Sequence, residues 1–175
     1  FITYHASGSR TKFAVNVSGQ SIADPDFAKK LFDMLKKENN VQTRIMFEIT
    51  ESTHIDNDKL NEVNTTIRTL QNLGTAICLD DFGAGSASFQ YLQQLDVDYV
   101  KIDGKYVRKM LESGRDASMI KNLAKMCHDL DVNVIAEMVE YEEQAQRLRN
   151  IGVSHAQGFL YARPMESPAY PSRNS

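Results

Sequence analysis

The sequence predicts an α/β architecture whose parallel strands curl into a barrel, and three observations carry that reading. Short runs rich in Val, Ile, Phe and Leu alternate with segments of helical spacing, the pattern of successive βα units. Within each strand, residues two apart divide into an apolar face and a second face of different chemistry. The polar groups of that second face recur toward the C-terminal end of every strand, which is where a barrel of this kind gathers its site. An open doubly wound sheet would collect its ligand groups at one switch point instead, and no GxGxxG run is present.

Each element has its own signal. Phe13 to Ser18, Arg44 to Thr50, Thr75 to Asp80, Asp98 to Asp103, Asn133 to Glu140 and Ser154 to Leu160 are the six strands, and none contains proline. Asp24-Pro25 opens the first helix, with Phe27, Leu31, Met34 and Leu35 as its apolar stripe. Leu60, Val63, Ile67 and Leu70 form a second stripe, and Gly74 stands where a left-handed C-terminal residue belongs. Phe89, Leu92 and Leu95 mark a third. Ile120, Leu123, Met126, Cys127 and Leu130 mark a fourth, and Glu142 to Leu148, closed by Gly152, is the fifth. Val15 and Val17, Ile45, Phe47 and Ile49, Ile77 and Leu79, Val100 and Ile102, and Val134 and Ala136 belong beneath these helices. Six strands amount to an incomplete TIM-like barrel, about six βα units of eight.

Composition narrows the function. The 175 residues suit one domain or a piece of one, and 42% hydrophobic with 25% charged residues excludes a disordered tail. No run approaches the ~18 apolar residues of a membrane helix, so no membrane contact is expected from this segment. A net charge of -3 argues against binding long nucleic acid. Cys78 and Cys127 both sit in apolar stretches and read as reduced core residues of a cytosolic protein. The chain starts at Phe1 without a methionine or a signal-peptide pattern, so its start reads as cut. Residues 166–175, with Pro168 and Pro171, read as a flexible tail.

The second face carries the chemistry. Asn16, Glu48, Asp80, Asp81 and Glu137 make an all-oxygen set, which suits Mg²⁺ or Mn²⁺ rather than Zn²⁺. Four carboxylates beside one lysine repel unless cations lie between them. Adjacent Asp80 and Asp81 could bridge two ions, the arrangement that clamps the attacking and leaving oxygens of a phosphodiester. Lys101 would then pair with a phosphate oxygen or orient a metal-bound water. Taken singly, an Asp-Asp pair at a strand end is more often a turn or an N-cap, and Gln157 is only a barrel amide. Six strands repeating the pattern in phase make the ensemble the signal. His5, His54, His128 and His155 share no ligand spacing. Gly83-Ala84-Gly85 fits either a phosphate cradle or a mobile loop.

The motifs Asn16-Val17-Ser18, Glu48-Ile49-Thr50-Glu51, Asp80-Asp81-Phe82-Gly83-Ala84-Gly85, Lys101-Ile102-Asp103, Glu137-Met138-Val139-Glu140 and Gln157-Gly158-Phe159 resemble, in order, those of the EAL domain family. That family comprises bacterial phosphodiesterases specific for cyclic di-GMP. The resemblance covers residues 11 to 165 and makes residues 1–165 a partial EAL domain whose N-terminal strands are missing. It implies two divalent ions, Mg²⁺ or Mn²⁺, and the linear product 5′-pGpG. By motif, Asn16, Glu48 and Asp80 would hold the first ion, with Asp80 bridging. Asp81 and Glu137 would complete the second, or Glu137 would serve as base. Lys101 would bind the attacking water or the phosphate, and Gln157 would brace the metal and water network. Glu51 would hold the loop from Phe82 to Ser88, which in the family links the metal site to a homodimer interface. Asp103 and Glu140 would contact substrate or support the ligands.

The resemblance also implies a bacterial cytoplasmic setting and leaves room for sensory or GGDEF domains upstream. Three departures stand out. The Glu-Ala-Leu segment itself should lie before Phe1, so residues 1–175 alone are expected to be inactive and to associate. Ser86 stands where an aromatic residue is common. Met138 replaces a usual glycine, and strand parity turns it toward the helices. The alternative to hydrolysis is a degenerate EAL module that binds the dinucleotide or a protein partner.

Overall fold

Six parallel strands form one sheet in sequence order: β1 (Phe13–Ser18), β2 (Ile45–Thr50), β3 (Ala76–Phe82), β4 (Tyr99–Ile102), β5 (Asn133–Ala136) and β6 (His155–Ala156). The computed structural model describes residues 12–37, 41–50, 57–83 and 88–164. Each strand pairs in parallel with the next, a geometry that needs a crossover connection. The crossovers are helical: α1 (Gly19–Ala23), α2 (Pro25–Lys37), α3 (Leu60–Asn72), α4 (Ser88–Gln94), α5 (Gly104–Lys109), α6 (Gly114–Asp129) and α7 (Glu142–Asn150). Among the described residues β1 and β6 are the sheet's edges, so the strands make an arc of a barrel. Residues 165–175 lie outside the described residues, and with them the expected tail.

Helix starts follow from side-chain caps. Asp24 Oδ1 accepts hydrogen bonds from the amides of Asp26 (2.8 Å) and Phe27 (3.1 Å), which satisfies orphan donors of α2. Ser113 does the same for α6 through the Asp116 amide. Gly74 and Gly152 take the left-handed conformation after α3 and α7, and Asp131 does so after α6.

The core lies between the sheet's outer face and the helices. Ile49, Ile77, Leu79, Val100, Ile102 and Val134 meet Val63, Ile67, Leu70, Ile120, Cys127 and Leu148, all buried in one cluster. Both cysteines are free and buried. Val15 departs from the expected pattern at 41% exposure, because β1 is an edge strand. Phe27, Met34, Phe89 and Leu130 are likewise exposed, and Ala28, Leu31 and Leu35 form the buried stripe of α2 instead. On the inner face, Ala14, Met46, Ala76, Tyr99, Ile135 and His155 line an open groove of about 440 Å³.

Two strands end sooner than their apolar runs. β5 stops at Ala136, and Met138 turns left-handed at φ 54°. Met138 is 44% exposed, and its side chain lies over Gly104 rather than beneath the helices. β6 is two residues long, and just before it the Ser154 hydroxyl takes the place of a ladder partner. It accepts from the Val134 amide and donates to the Val134 carbonyl, both at 2.9 Å.

β3 carries the irregularity that matters most. Leu79 pairs with Val100 and Phe82 with Ile102, so β3 spends three steps where β4 spends two. The extra residue is a β-bulge, with Asp81 at φ 55°. Strict alternation would turn Asp81 to the helices. The bulge returns Phe82 to the core at 1% exposure and leaves Asp81 exposed.

Candidate functional site

Lys101 is the centre of the charged group. Strand β4 points its side chain into the arc, where the residue is 4% exposed and its ammonium reaches three carboxylates. Nζ lies 2.8 Å from Glu137 Oε1, 3.2 Å from Asp80 Oδ1 and 3.3 Å from Glu48 Oε2. Those partners come from β2, from β3 and from just past the end of β5, so four sequence-distant residues meet at one level of the barrel. Glu48 is buried and Asp80 nearly so.

The electrostatics follow from that crowding. Burial raises Glu48 above the ordinary carboxylate range; Lys101 opposes this, and the charges of Asp80 and Glu137 add to it. Burial likewise raises Glu137, with Lys101 pulling it down and Asp80 and Asp81 pushing it up. Burial disfavours the Lys101 ammonium, but the Glu137 hydrogen bond and three neighbouring carboxylates prevail, and the group titrates above the ordinary lysine range. Cys78 lies on the same face and is fully buried; burial first, then the Glu48 charge, pushes its thiol up, so it is not a nucleophile at neutral pH.

Asp80, Asp81 and Glu137 each present an oxygen within 4.8 Å of the other two. Oxygens on opposite sides of an octahedral Mg²⁺ stand about 4 Å apart, and somewhat more around Mn²⁺. The trio therefore has the donor type and the spacing to hold one hard divalent ion. It owes this to the bulge in β3, which keeps Asp81 beside Asp80. Four carboxylates against one ammonium also leave excess negative charge that a cation would neutralise.

The remaining expected residues sit at varying distances from this group. Asn16 pairs in register with Glu48 across β1 and β2, and its side chain is exposed. Gln157 is exposed just beyond β6, where its carbonyl accepts from the Val139 amide at 3.0 Å. Asp103 caps α5: its side chain accepts from the Lys105 amide at 2.8 Å and pairs with Lys105 Nζ at 3.0 Å. Glu140 is exposed, its amide donating to Gln144 Oε1 at 2.9 Å. Glu51 lies outside the described residues, as do residues 84–87 of the glycine loop.

Two residues at the site had no signal in the reading of the motifs. The Tyr106 hydroxyl donates to the Gly83 carbonyl at 2.8 Å, and Lys105 Nζ donates to the same oxygen at 3.1 Å. The cap pattern Asp103-Gly104-Lys105 could have marked the start of α5, but nothing local points from Tyr106 to Gly83.

Comparison with known proteins gives the family and the fold. The family model described as EAL domain matches residues 2–164. The cyclic di-GMP phosphodiesterase PdeB of Shewanella oneidensis is 35% identical over 161 residues, covering 90% of this chain and 18% of PdeB. The chain spans about a fifth of the length of the curated relatives it matches. Among solved structures, the EAL domain of Mycobacterium smegmatis DcpA superposes with a TM-score of 0.85 at 28% identity, over 94% of this chain and 74% of that one. A manganese and cyclic di-GMP complex of Klebsiella pneumoniae BlrP1 gives a TM-score of 0.79 at 27% identity, over 93% of this chain and 41% of that one. Among the described residues no helix is long and apolar enough to cross a membrane.

Proposed function

The chain belongs to the EAL domain family, and on that premise we propose that it serves the metal-dependent hydrolysis of cyclic di-GMP to linear 5′-pGpG. The observation that carries the reading is the convergence of Asp80, Asp81 and Glu137 beside the Lys101 ammonium. Two Mg²⁺ or Mn²⁺ ions would be held by Asn16, Glu48 and Asp80 at one position and by Asp81, with Glu137 where it does not act as base, at the other. Bound there, the ions would polarise a phosphodiester and lower the pKa of water.

The chain's own groups then divide the work. Lys101 holds the phosphate oxygen or the attacking water, since an ammonium donates and cannot ligate a cation. Glu137, beside Lys101, either completes the second ion's ligand set or accepts the proton of that water. The water oxygen replaces the 3′ oxygen on one phosphorus, and the 3′ oxygen leaves with a proton. Gln157 and Asn16, both exposed at the mouth, remain accessible to a ligand.

A second reading is binding of the dinucleotide without hydrolysis, favoured by the Gly85-Ser86-Ala87-Ser88 run in place of an aromatic loop residue. Incubation of the chain, extended upstream through a Glu-Ala-Leu segment, with cyclic di-GMP and Mn²⁺, followed by chromatography for pGpG, separates the two. Conversion that Glu48→Gln abolishes supports the enzyme. Saturable binding of cyclic di-GMP with no pGpG moves the assignment to the receptor. Neither binding nor conversion rejects both.

A further inference from the structure

The bulge in β3 is the unusual feature of this site, and it needs a restraint. Asp81 is a non-glycine residue in the left-handed region, a conformation that costs of order 1–3 kcal/mol. It also places one more carboxylate beside Asp80 and Glu137, so charge repulsion favours opening it. A regular ladder would remove the extra residue and turn Asp81 away. On its N-terminal side the bulge is held by the Leu79 and Val100 pairing and by the Asp81 amide donating to Asp80 Oδ1 at 3.0 Å.

On its C-terminal side the chain is held by α5. Phe82 is anchored in the core, and the Asp103 amide donates to its carbonyl at 3.3 Å. The next carbonyl, that of Gly83, receives both the Tyr106 hydroxyl and the Lys105 ammonium. Lys105 is itself aimed by Asp103 and lies 4.9 Å from the centre of the Tyr106 ring. Gly83 has φ 90°, and a Cβ there would meet the Tyr106 ring at 2.9 Å. Tyr106 thus fits closely against the residue that follows the bulge.

We infer that Tyr106 and Lys105 are positioning residues: by clamping the Gly83 carbonyl they hold the bulge that keeps Asp81 beside Asp80 and Glu137. This rests on the reading of those carboxylates as cation ligands. Neither residue touches the ion or the reacting atoms. A cation and the clamp stabilise the same backbone arrangement, so by linkage each strengthens the other.

The test is a Mn²⁺ titration of the purified chain extended upstream through a Glu-Ala-Leu segment, reading free aqueous Mn²⁺ by electron paramagnetic resonance. Wild type, Tyr106→Phe, Lys105→Met and Asp80→Asn are compared. Tyr106→Phe keeps the ring and removes one donor, so Mn²⁺ affinity should fall about 3- to 10-fold, the range of one net hydrogen bond. Its thermal midpoint without metal should stay within a few degrees of wild type. Lys105→Met, at a partly exposed side chain, should give a smaller loss in the same direction. Amide hydrogen exchange over residues 81–83 should slow on Mn²⁺ addition in wild type and less so in Tyr106→Phe.

Unchanged affinity in both clamp variants, with affinity lost in Asp80→Asn, overturns the clamp and leaves the ligand reading standing. Affinity that falls only in step with a large drop in midpoint overturns it too, because that pattern is a general loss of fold. Wild-type affinity in Asp80→Asn, or no Mn²⁺ binding by wild type, removes the ligand reading and the clamp together.

Discussion

Replacing Lys101 by Met removes a buried charge while nearly keeping its volume, so the effect on the metal-free protein is chiefly electrostatic. At an effective dielectric of about 20, each of the three contacts at 2.8, 3.2 and 3.3 Å amounts to roughly 5–6 kcal/mol of Coulomb attraction. Most of that is offset by the cost of desolvating the ammonium and the carboxylates. Breaking such a buried arrangement on one side costs about 3–5 kcal/mol net. For a chain of this length the thermal midpoint should fall by roughly 6–20 °C.

The loss should depend on pH. Glu48 and Glu137 hold protons more tightly in the folded state than at their ordinary value of 4.5. They therefore favour folding below that value and lose the contribution as pH rises through their folded values. Lys101 is raised above 10.5, so its contribution is complete throughout the neutral and acidic range. Without it the two glutamates shift further up, and the deficit of Lys101→Met should be largest near pH 7.5 and shrink toward pH 5. Mn²⁺ should restore part of the midpoint at pH 7.5, since a cation can take over as counter-charge. Thermal unfolding by circular dichroism in chelator, at both pH values and then with Mn²⁺, reads all three effects. A loss below about 1 kcal/mol at pH 7.5, or an equal loss at both pH values, would refute the placement of Lys101 as the shared counter-ion.

Further expectations concern the ions and the backbone. In the chain extended upstream through a Glu-Ala-Leu segment, Glu48→Gln should abolish conversion of cyclic di-GMP to pGpG in the Mg²⁺ assay, because a neutral amide is a weaker ligand for a hard cation; near-normal turnover would exclude Glu48 as a ligand. Ca²⁺ should support far less turnover than Mg²⁺ or Mn²⁺, since its contacts of about 2.3–2.6 Å and looser geometry misplace the attacking water. Equal rates in a side-by-side assay would rule out a geometry-dependent mechanism. A Cβ at Gly104 would come 2.6 Å from Met138 Cβ, which no rotamer change can move. Gly104→Ala should therefore cost about 1–3 kcal/mol in urea unfolding and much less when combined with Met138→Gly, which empties that space. Strictly additive losses would mean that the two positions do not share it.

Hydrophobic periodicity alone specifies where strands and helices fall, because burial on one face imposes a spacing of two or of three to four whatever the neighbours are. Phe13–Ser18 is a strand with the expected limits, and Leu60, Val63, Ile67 and Leu70 are all buried on one helix. The same periodicity overreached at Phe27, Met34, Phe89 and Leu130, since which part of an apolar stripe is covered depends on the elements packed against it. It also extended β5 to Glu140, past the left-handed turn at Met138. No β propensity announces that turn.

The site divides in the same way. Glu48, Asp80, Lys101 and Glu137 were legible as a group because each lies at the C-terminal end of its segment on the same parity, and parallel pairing carries such residues to one level. The ordered motifs added the family. Asp81 is different: its place beside Asp80 depends on one extra residue in β3, and a bulge is a property of a strand pair. The clamp on Gly83 joins residues more than twenty positions apart and has no periodic trace at all. The sequence by itself therefore determined the architecture, the family and which charges face inward, all of which follow from spacing along one chain. Only the tertiary structure decided how Asp81, against strict alternation, comes to stand with them and what holds it there, because register and long-range hydrogen bonds exist only once the strands are paired.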